Sequence, residues 1–289
     1  MQKTTIWITG SSGRVGTALE KALSGLLDIR LIATDTDVDV TDLSAVEKAM
    51  GIFQPSIVIN CAGLSDADYC EANPIDAYRV NALGPRNLAA ASRVRNATII
   101  HLSSDDVFSG EHNTAKTEFD TPTPRTVYGK SKLAGENFVR ELNPKHLILR
   151  SSWVYGFEKS QEKGCSNFYE EVLEHGKKGE NFDVPIDMIG SPTSTREITK
   201  FVMCLLKTHE YGIFHVACEG ACTRLDYARA ILELNGYNPH LAQGILSSKD
   251  GTLVATQLDN MMMKMTRLYE MPPWYDAMKE FVEATKEGR

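Results

Sequence analysis

The sequence predicts an α/β fold, a doubly wound parallel sheet (Rossmann-like) with a smaller C-terminal substrate-binding lobe. Three observations predict it. Strand-like apolar runs alternate with helical segments through residue 150, which implies parallel pairing. The first run ends in glycines spaced Gly-x-x-Gly-x-x-Gly and passes directly into an amphipathic segment. Polar or small residues follow strand after strand (Gly10, Asp35, Gly63, Ser104 and Ser151), so one rim of the sheet collects them. Ligands of such sheets bind beyond the carboxyl ends of the strands.

Taken in order, Ile6-Trp7-Ile8-Thr9 is the first strand and Thr17 to Leu23 the first helix. Between them Gly10, Ser12, Gly13, Arg14, Val15 and Gly16 form a turn where backbone can approach a pyrophosphate held at the helix amino terminus. The second strand, Ile29 to Thr34, reaches Asp35 about twenty residues on, where an acid that binds a ribose is expected and NAD is favoured over NADP. Asp37, Asp39 and Asp42 crowd the same loop, so the assignment is not unique; Asp42 is placed to cap the helix through Leu43, Val46 and Met50. Ser56 to Asn60 is a third strand, running into Cys61, Ala62 and Gly63, small residues suited to an adenine or ribose pocket. Pro74 starts a long helix through Ala77, Val80, Leu83, Leu88 and Ala91, with Asn81 a polar residue within it. Ala97 to Leu102 is a fourth strand, closing on Ser103, Ser104, Asp105 and Asp106.

After the turn-rich Thr121-Pro122-Thr123-Pro124 comes a helix carrying Tyr128 and Lys132. Residues four apart lie on one helical face, so the ammonium stands beside the phenol. A free phenol has a pKa of about 10, and a neighbouring cation lowers it toward a useful acid–base range. His146 to Arg150 is the fifth strand. Beyond it alternation weakens: a loop at Ser160 to Gly164, a helix around Phe168, Val172 and Leu173, a loop from Asp187 to Thr195, and a helix from Glu197 to Lys207. A last strand follows at Gly212 to Ala217, then a helix from Leu225 to Leu234. Residues 1–156, with parts of 185–220, form the expected dinucleotide-binding domain; 157–184 and 221–289 form the expected lobe.

At 289 residues and 42% hydrophobic, the chain has ample material for a core. A net charge of −7 and the lack of a basic run argue against nucleic acid as a partner. No apolar stretch approaches the roughly 20 residues of a membrane span, and nothing at the amino terminus reads as a signal peptide. Six cysteines without a paired metal-site spacing are expected to be reduced, which places the protein in the cytoplasm. No metal is expected.

Thr9-Gly10-x-x-Gly13-x-x-Gly16, the strand-end Ser104 and Tyr128-x-x-x-Lys132 together resemble the extended short-chain dehydrogenase/reductases. More closely, the chain resembles the dTDP-4-dehydrorhamnose reductase family through His101 to Phe108, Val127 to Glu136 and Leu149 to Gly156. The resemblance implies an NAD(P)H-dependent reductase of a nucleotide-linked 4-keto-sugar, using NADPH or NADH, as a monomer or homodimer. It implies Ser104, Tyr128 and Lys132 as catalytic residues. The cofactor is expected at Gly10, Ser12, Gly13, Arg14, Val15, Asp35, Asp39, Val40, Cys61, Ala62, Gly63, Tyr128 and Lys132. The substrate is expected at Ser65, Ser104, Asp105, Asp106, Trp153 and Asn167. The chain departs from the family pattern at Asp106, where an aromatic ring is usual, at Ala67-Asp68-Tyr69, at Met188, and over Thr252 to Leu258. These departures bear on the substrate rather than on the chemistry. Two other readings remain open: a non-catalytic NAD(P)-binding regulatory subunit, and another extended-type nucleotide-sugar epimerase or dehydratase.

Overall fold

The computed structural model describes residues 3–111, 113–156, 168–247 and 252–287. Its first half runs β1 (Thr4–Thr9), α1 (Arg14–Leu23), β2 (Ile29–Thr34), α2 (Leu43–Phe53) and β3 (Ile57–Asn60). Then come α3 (Ala67–Ala72), α4 (Pro74–Tyr78), a π turn (Arg79–Leu83), α5 (Gly84–Val94), β4 (Thr98–Ser104), α6 (Val127–Leu142) and β5 (His146–Ser151). The second half holds β6 (Val154–Tyr155), α7 (Phe168–Lys178), β7 (Phe182–Pro185), β8 (Met188–Gly190), β9 (Thr193–Ser194) and α8 (Thr195–Leu205). It ends with β10 (Gly212–His215), β11 (Cys222–Thr223), α9 (Arg224–Leu234), β12 (Ala242–Ile245), β13 (Val254–Ala255), α10 (Met261–Thr266) and α11 (Trp274–Glu287).

Six strands form one sheet in the order β10-β5-β4-β3-β1-β2, and every pair is parallel. The predicted doubly wound sheet is present. Successive side chains of a strand point to opposite faces, and both faces are apolar here. Ile6 and Ile8 pack with Leu19, Phe201 and Val202 from α1 and α8. Trp7 between them packs with Val46, Met50, Leu88 and Val139 from α2, α5 and α6. Helices on both faces therefore explain why these strands read as continuous apolar runs rather than as alternation. A second core gathers Tyr155, Tyr169, Tyr227 and Phe281 with residues of α7, α9 and α11.

The strand order reverses between β1 and β3, and there the carboxyl ends splay into a crevice. Register sets polar residues level at that rim: Thr9 opposite Asn60, Asn60 opposite His101, and Ser104 opposite Ser151. Thr9 Oγ1 donates to Asn60 Oδ1 at 2.8 Å, and Ala62 N donates to the same oxygen at 3.1 Å. With its oxygen committed, Asn60 presents Nδ2 to His101 Nδ1 at 3.1 Å. His101 is fully buried and its pKa lies well below the usual imidazole value, chiefly through desolvation and then through the charge of Lys132. It is neutral at any physiological pH.

Two expectations are corrected. The helix from Pro74 is interrupted by the π turn at Arg79–Leu83 before α5 continues it. The extra residue turns Asn81 inward, where Nδ2 donates to Leu64 O and Ser131 Oγ and Oδ1 accepts from Leu64 N. The loop expected from Asp187 to Thr195 contains β8 and β9. Strands of three and two residues are too short to show a period. By contrast, Asp42 caps α2 as expected, accepting from Ser44 N at 2.9 Å. The loop expected at Ser160 to Gly164 lies outside the described residues.

Candidate active site

The amino-terminal half of the cleft follows from the glycine turn. A Cβ on Gly16 would stand 2.2 Å from Gly10 O, so only hydrogen lets the turn close this tightly on α1. The turn borders a cavity of about 400 Å³ lined by Gly10, Ser12, Gly13, Asp35, Asp39, Val40, Cys61, Ala62 and Gly63. Asp35 holds its place at the end of β2 through its own N–H, which donates to Asp37 Oδ1 at 2.6 Å. Asp39 Oδ1 accepts from Thr41 N at 2.8 Å, a local turn bond. The dimensions, the small residues and the helix amino terminus fit a dinucleotide's adenosine half and its pyrophosphate.

A second cavity of about 490 Å³ continues past Gly13, Cys61 and Gly63 into the space between sheet and second core. Arg14, Val15, Ser65, Ser104, Asp105, Asp106, Tyr128, Lys132 and Trp153 all line it. Between them the two cavities collect every expected site residue except Asn167, which lies outside the described residues.

The reacting groups arrive on two elements. Ser104 ends β4, and Tyr128 and Lys132 lie in the first turns of α6. Thr126 caps α6 by accepting from Gly129 N at 2.9 Å. A Cβ on Gly129 would stand 2.1 Å from Asp106 O, so the helix start rests directly on the backbone after β4. That contact sets Tyr128 and Ser104 at the wall of the same cavity. Lys132 is buried and its Nζ donates to Leu102 O at 2.6 Å. Burial lowers its pKa to about 8 against the opposing charge of Glu136.

The electrostatics correct one expectation. Tyr128 is not acidified by Lys132; its pKa is raised above the ordinary phenol value. Desolvation is the largest cause and the Asp106 charge the next, with only the Ser104 hydrogen bond lowering it among the leading contributions. The spacing along α6 is as expected, but burial of the phenol, with the carboxylates after β4 adding to it, sets the sign of the shift. Asp105 is buried under three hydroxyl donors: Ser104 Oγ at 3.1 Å, Ser152 Oγ at 2.8 Å and Thr256 Oγ1 at 2.6 Å. Burial raises its pKa all the same. Asp106 is pushed up to about 7 by desolvation and by the neighbouring Asp105 charge. Among the described residues no hydrogen bond reaches its carboxylate; only its backbone N–H is engaged, by Ser104 Oγ at 3.2 Å.

Below this rim lies an ion pair that sequence reading did not single out. Glu136, one helical turn after Lys132, accepts from Arg150 Nε at 2.9 Å, Arg150 Nη2 at 2.7 Å and Ser103 Oγ at 2.5 Å. Both side chains are almost wholly buried, at 2% and 3% exposure. Trp153 adopts φ of 42°, a left-handed backbone conformation that non-glycine residues rarely hold. Arg224 and Thr256 also line the cleft and carry no spacing signal that marks them in sequence.

The family model for the RmlD substrate binding domain matches residues 4–287. The dTDP-4-dehydrorhamnose reductase of Aggregatibacter actinomycetemcomitans is 34% identical over 233 residues, 78% of this chain and 77% of that protein. Among solved structures, a dTDP-4-dehydrorhamnose reductase from Clostridium acetobutylicum superposes with a TM-score of 0.88 at 35% identity, covering 98% of this chain and 99% of that one. A second, from Bacillus anthracis in complex with NADP, gives 0.89 at 30% identity, covering 98% and 100%.

Proposed function

The chain belongs to the RmlD substrate-binding family, that of the dTDP-4-dehydrorhamnose reductases, and on that premise we propose that it is an NAD(P)H-dependent reductase of a nucleotide-linked 4-keto-sugar. The observation that carries the proposal is the meeting of Ser104, Tyr128 and Lys132 at the wall of a cleft continuous with the glycine turn. NADPH or NADH, when bound along that cleft, supplies hydride to the C4 carbonyl carbon. The chain's own residues do the rest.

Tyr128 gives its hydroxyl proton to the C4 oxygen as negative charge develops there. A phenol whose pKa is raised is fully protonated at neutral pH, which suits an acid. Ser104 has one hydroxyl proton, which it gives to Asp105 Oδ1 in the free protein; turned from that carboxylate to the C4 oxygen, it stabilises the developing alkoxide. Lys132, fixed by Leu102 O, holds the nicotinamide ribose; Gly10, Ser12, Gly13, Arg14 and Val15 hold the pyrophosphate. Asp35, Asp39, Val40, Cys61, Ala62 and Gly63 enclose the adenosine. Ser65, Asp105, Asp106 and Trp153 surround the sugar; Asn167, also expected there, lies outside the described residues. Among the described residues no helix is long and apolar enough to cross a membrane; we assign the enzyme to the cytoplasm, where thiols such as those of Cys204 and Cys218 stay reduced.

The test is NAD(P)H oxidation on addition of dTDP-4-keto-6-deoxy sugars to the wild-type chain and to Tyr128→Phe. Loss of the proton donor is expected to cut kcat by roughly 10²–10⁴-fold. Near-wild-type turnover in the variant would refute the assigned acid.

A further inference from the structure

Arg224 is the first residue of α9, held there by a capping box. Thr223 Oγ1 accepts from Asp226 N at 3.0 Å and donates to Asp226 Oδ2 at 2.7 Å, so the side chain departs from a fixed point. Its guanidinium carbon lies 3.9 Å from the centroid of the Trp153 ring and 4.6 Å from that of Phe168. The two rings hold the plane of the guanidinium inside the cleft that Tyr128, Asp105 and Asp106 also line. Yet among the described residues no hydrogen bond or ion pair engages any of its N–H groups.

This placement is costly twice over. The cation is largely desolvated, and burial lowers its pKa. It sits at the positive end of a helix, where the macrodipole favours anions. Among the described residues its donors have no hydrogen-bond partner, and they are not sealed from solvent, so they stand open to a ligand entering the cleft. Aromatic contact and the fields of Asp105 and Asp106 offset part of this, but an apolar side chain would fill the same gap without the cost.

We infer that Arg224 is the anchor for the diphosphate of the nucleotide-sugar, an assignment that rests on the reductase reading above. A guanidinium presents a rigid planar fork that matches phosphate oxygens bidentately, which a lysine cannot do. The diphosphate is the anionic portion of such a substrate, while the neutral sugar ring offers hydroxyl donors suited to the carboxylates nearby. The cofactor's own pyrophosphate belongs at the other wall, against the glycine turn and the amino terminus of α1. Arg224 approaches instead from α9, beside Trp153, and of the two cavities lines only the second. Two carboxylates next to it would repel a dianion, and this cation offsets that repulsion.

The experiment titrates wild type, Arg224→Met and Arg224→Lys by calorimetry with dTDP and with UDP, and separately with NADPH. Arg224→Met is expected to weaken both nucleoside diphosphates by roughly 10–100-fold, the worth of one or two charge-assisted hydrogen bonds. Arg224→Lys keeps the charge without the fork and is expected to fall between the two, while NADPH affinity holds in all three. In turnover, the same variants raise KM more than they lower kcat. Melting curves confirm that each variant is folded, and the lysine variant serves if the methionine variant is not. Unchanged dTDP and UDP affinity in a folded variant overturns the inference. So does an equal loss for NADPH, which would assign the guanidinium to the cofactor, and so does wild type that binds neither nucleoside diphosphate. If wild type binds them, loses them with Arg224→Met, and still reduces no keto-sugar, the reductase reading fails and the anion site stands.

Discussion

Asp106→Asn isolates the least comfortable charge in the cleft. Its carboxylate accepts no hydrogen bond among the described residues, so the amide replaces it without breaking one. Burial and the Asp105 charge raise its pKa from 3.8 to about 7. A group raised in this sense binds its proton more tightly folded than unfolded, so stability falls as pH rises between about 4 and 7. At 1.36 kcal/mol for each unit, the ionised carboxylate costs at most about 4 kcal/mol above pH 7, and nothing below pH 4. The neutral amide carries no such cost. The variant is therefore expected to gain on wild type progressively from pH 4 to pH 8, reaching roughly 8–16 °C in Tm at the upper limit. Thermal unfolding across that range reads it directly. A stability difference that does not vary between pH 4 and pH 8 would refute the assigned charge state.

Two further predictions concern the scaffold around the site. Glu136→Gln leaves Arg150 buried and uncompensated, which should cost about 3–5 kcal/mol in chemical denaturation. It also removes the charge that opposes desolvation of Lys132, so an activity limb set by that ammonium should move below its present value of about 8; an unmoved limb would show that Lys132 is insensitive to this carboxylate. Gly16→Ala would drive a Cβ to 2.2 Å from Gly10 O and force the turn open. NADPH affinity, read by fluorescence titration, should fall at least tenfold, about 1.4 kcal/mol, and an unchanged Kd would mean the turn relaxes freely.

What the sequence disclosed was local. The strand, glycine turn and helix of residues 4–23 are one contiguous signal, and Tyr128 and Lys132 sit a turn apart on one helix. The strand-end residues were legible because alternation fixes which end of a parallel sheet they share. What stayed hidden depends on chain segments that meet only after folding. Thr256 reaches Asp105 across 151 residues, and Arg224 enters from α9 with nothing in its flanks to mark it. The π turn at Asn81 has no period of its own to detect. The sign of the Tyr128 shift escapes a sequence reading for the same reason. An ammonium four residues away is visible in a sequence, but the burial of Asp105 and Asp106 against α6 is not.

That sign has a consequence for the direction of the proposed reaction. Oxidising a sugar alcohol requires a base at its hydroxyl, and a phenol raised above its ordinary pKa is almost never ionised at neutral pH. Reducing a ketone requires an acid, and the same phenol always has its proton to give. Proton transfer to a developing alkoxide remains downhill even from a weak acid, because an alkoxide is the stronger base. Burial first, and the two carboxylates behind it, thus keep on Tyr128 the proton that reduction consumes, without altering the overall equilibrium. Their charge does not reach the C4 oxygen undiminished, since the Asp105 carboxylate is engaged by Ser152 and Thr256. A lysine that dominated the electrostatics, as spacing alone suggested, would have produced a better base and a less committed reductase.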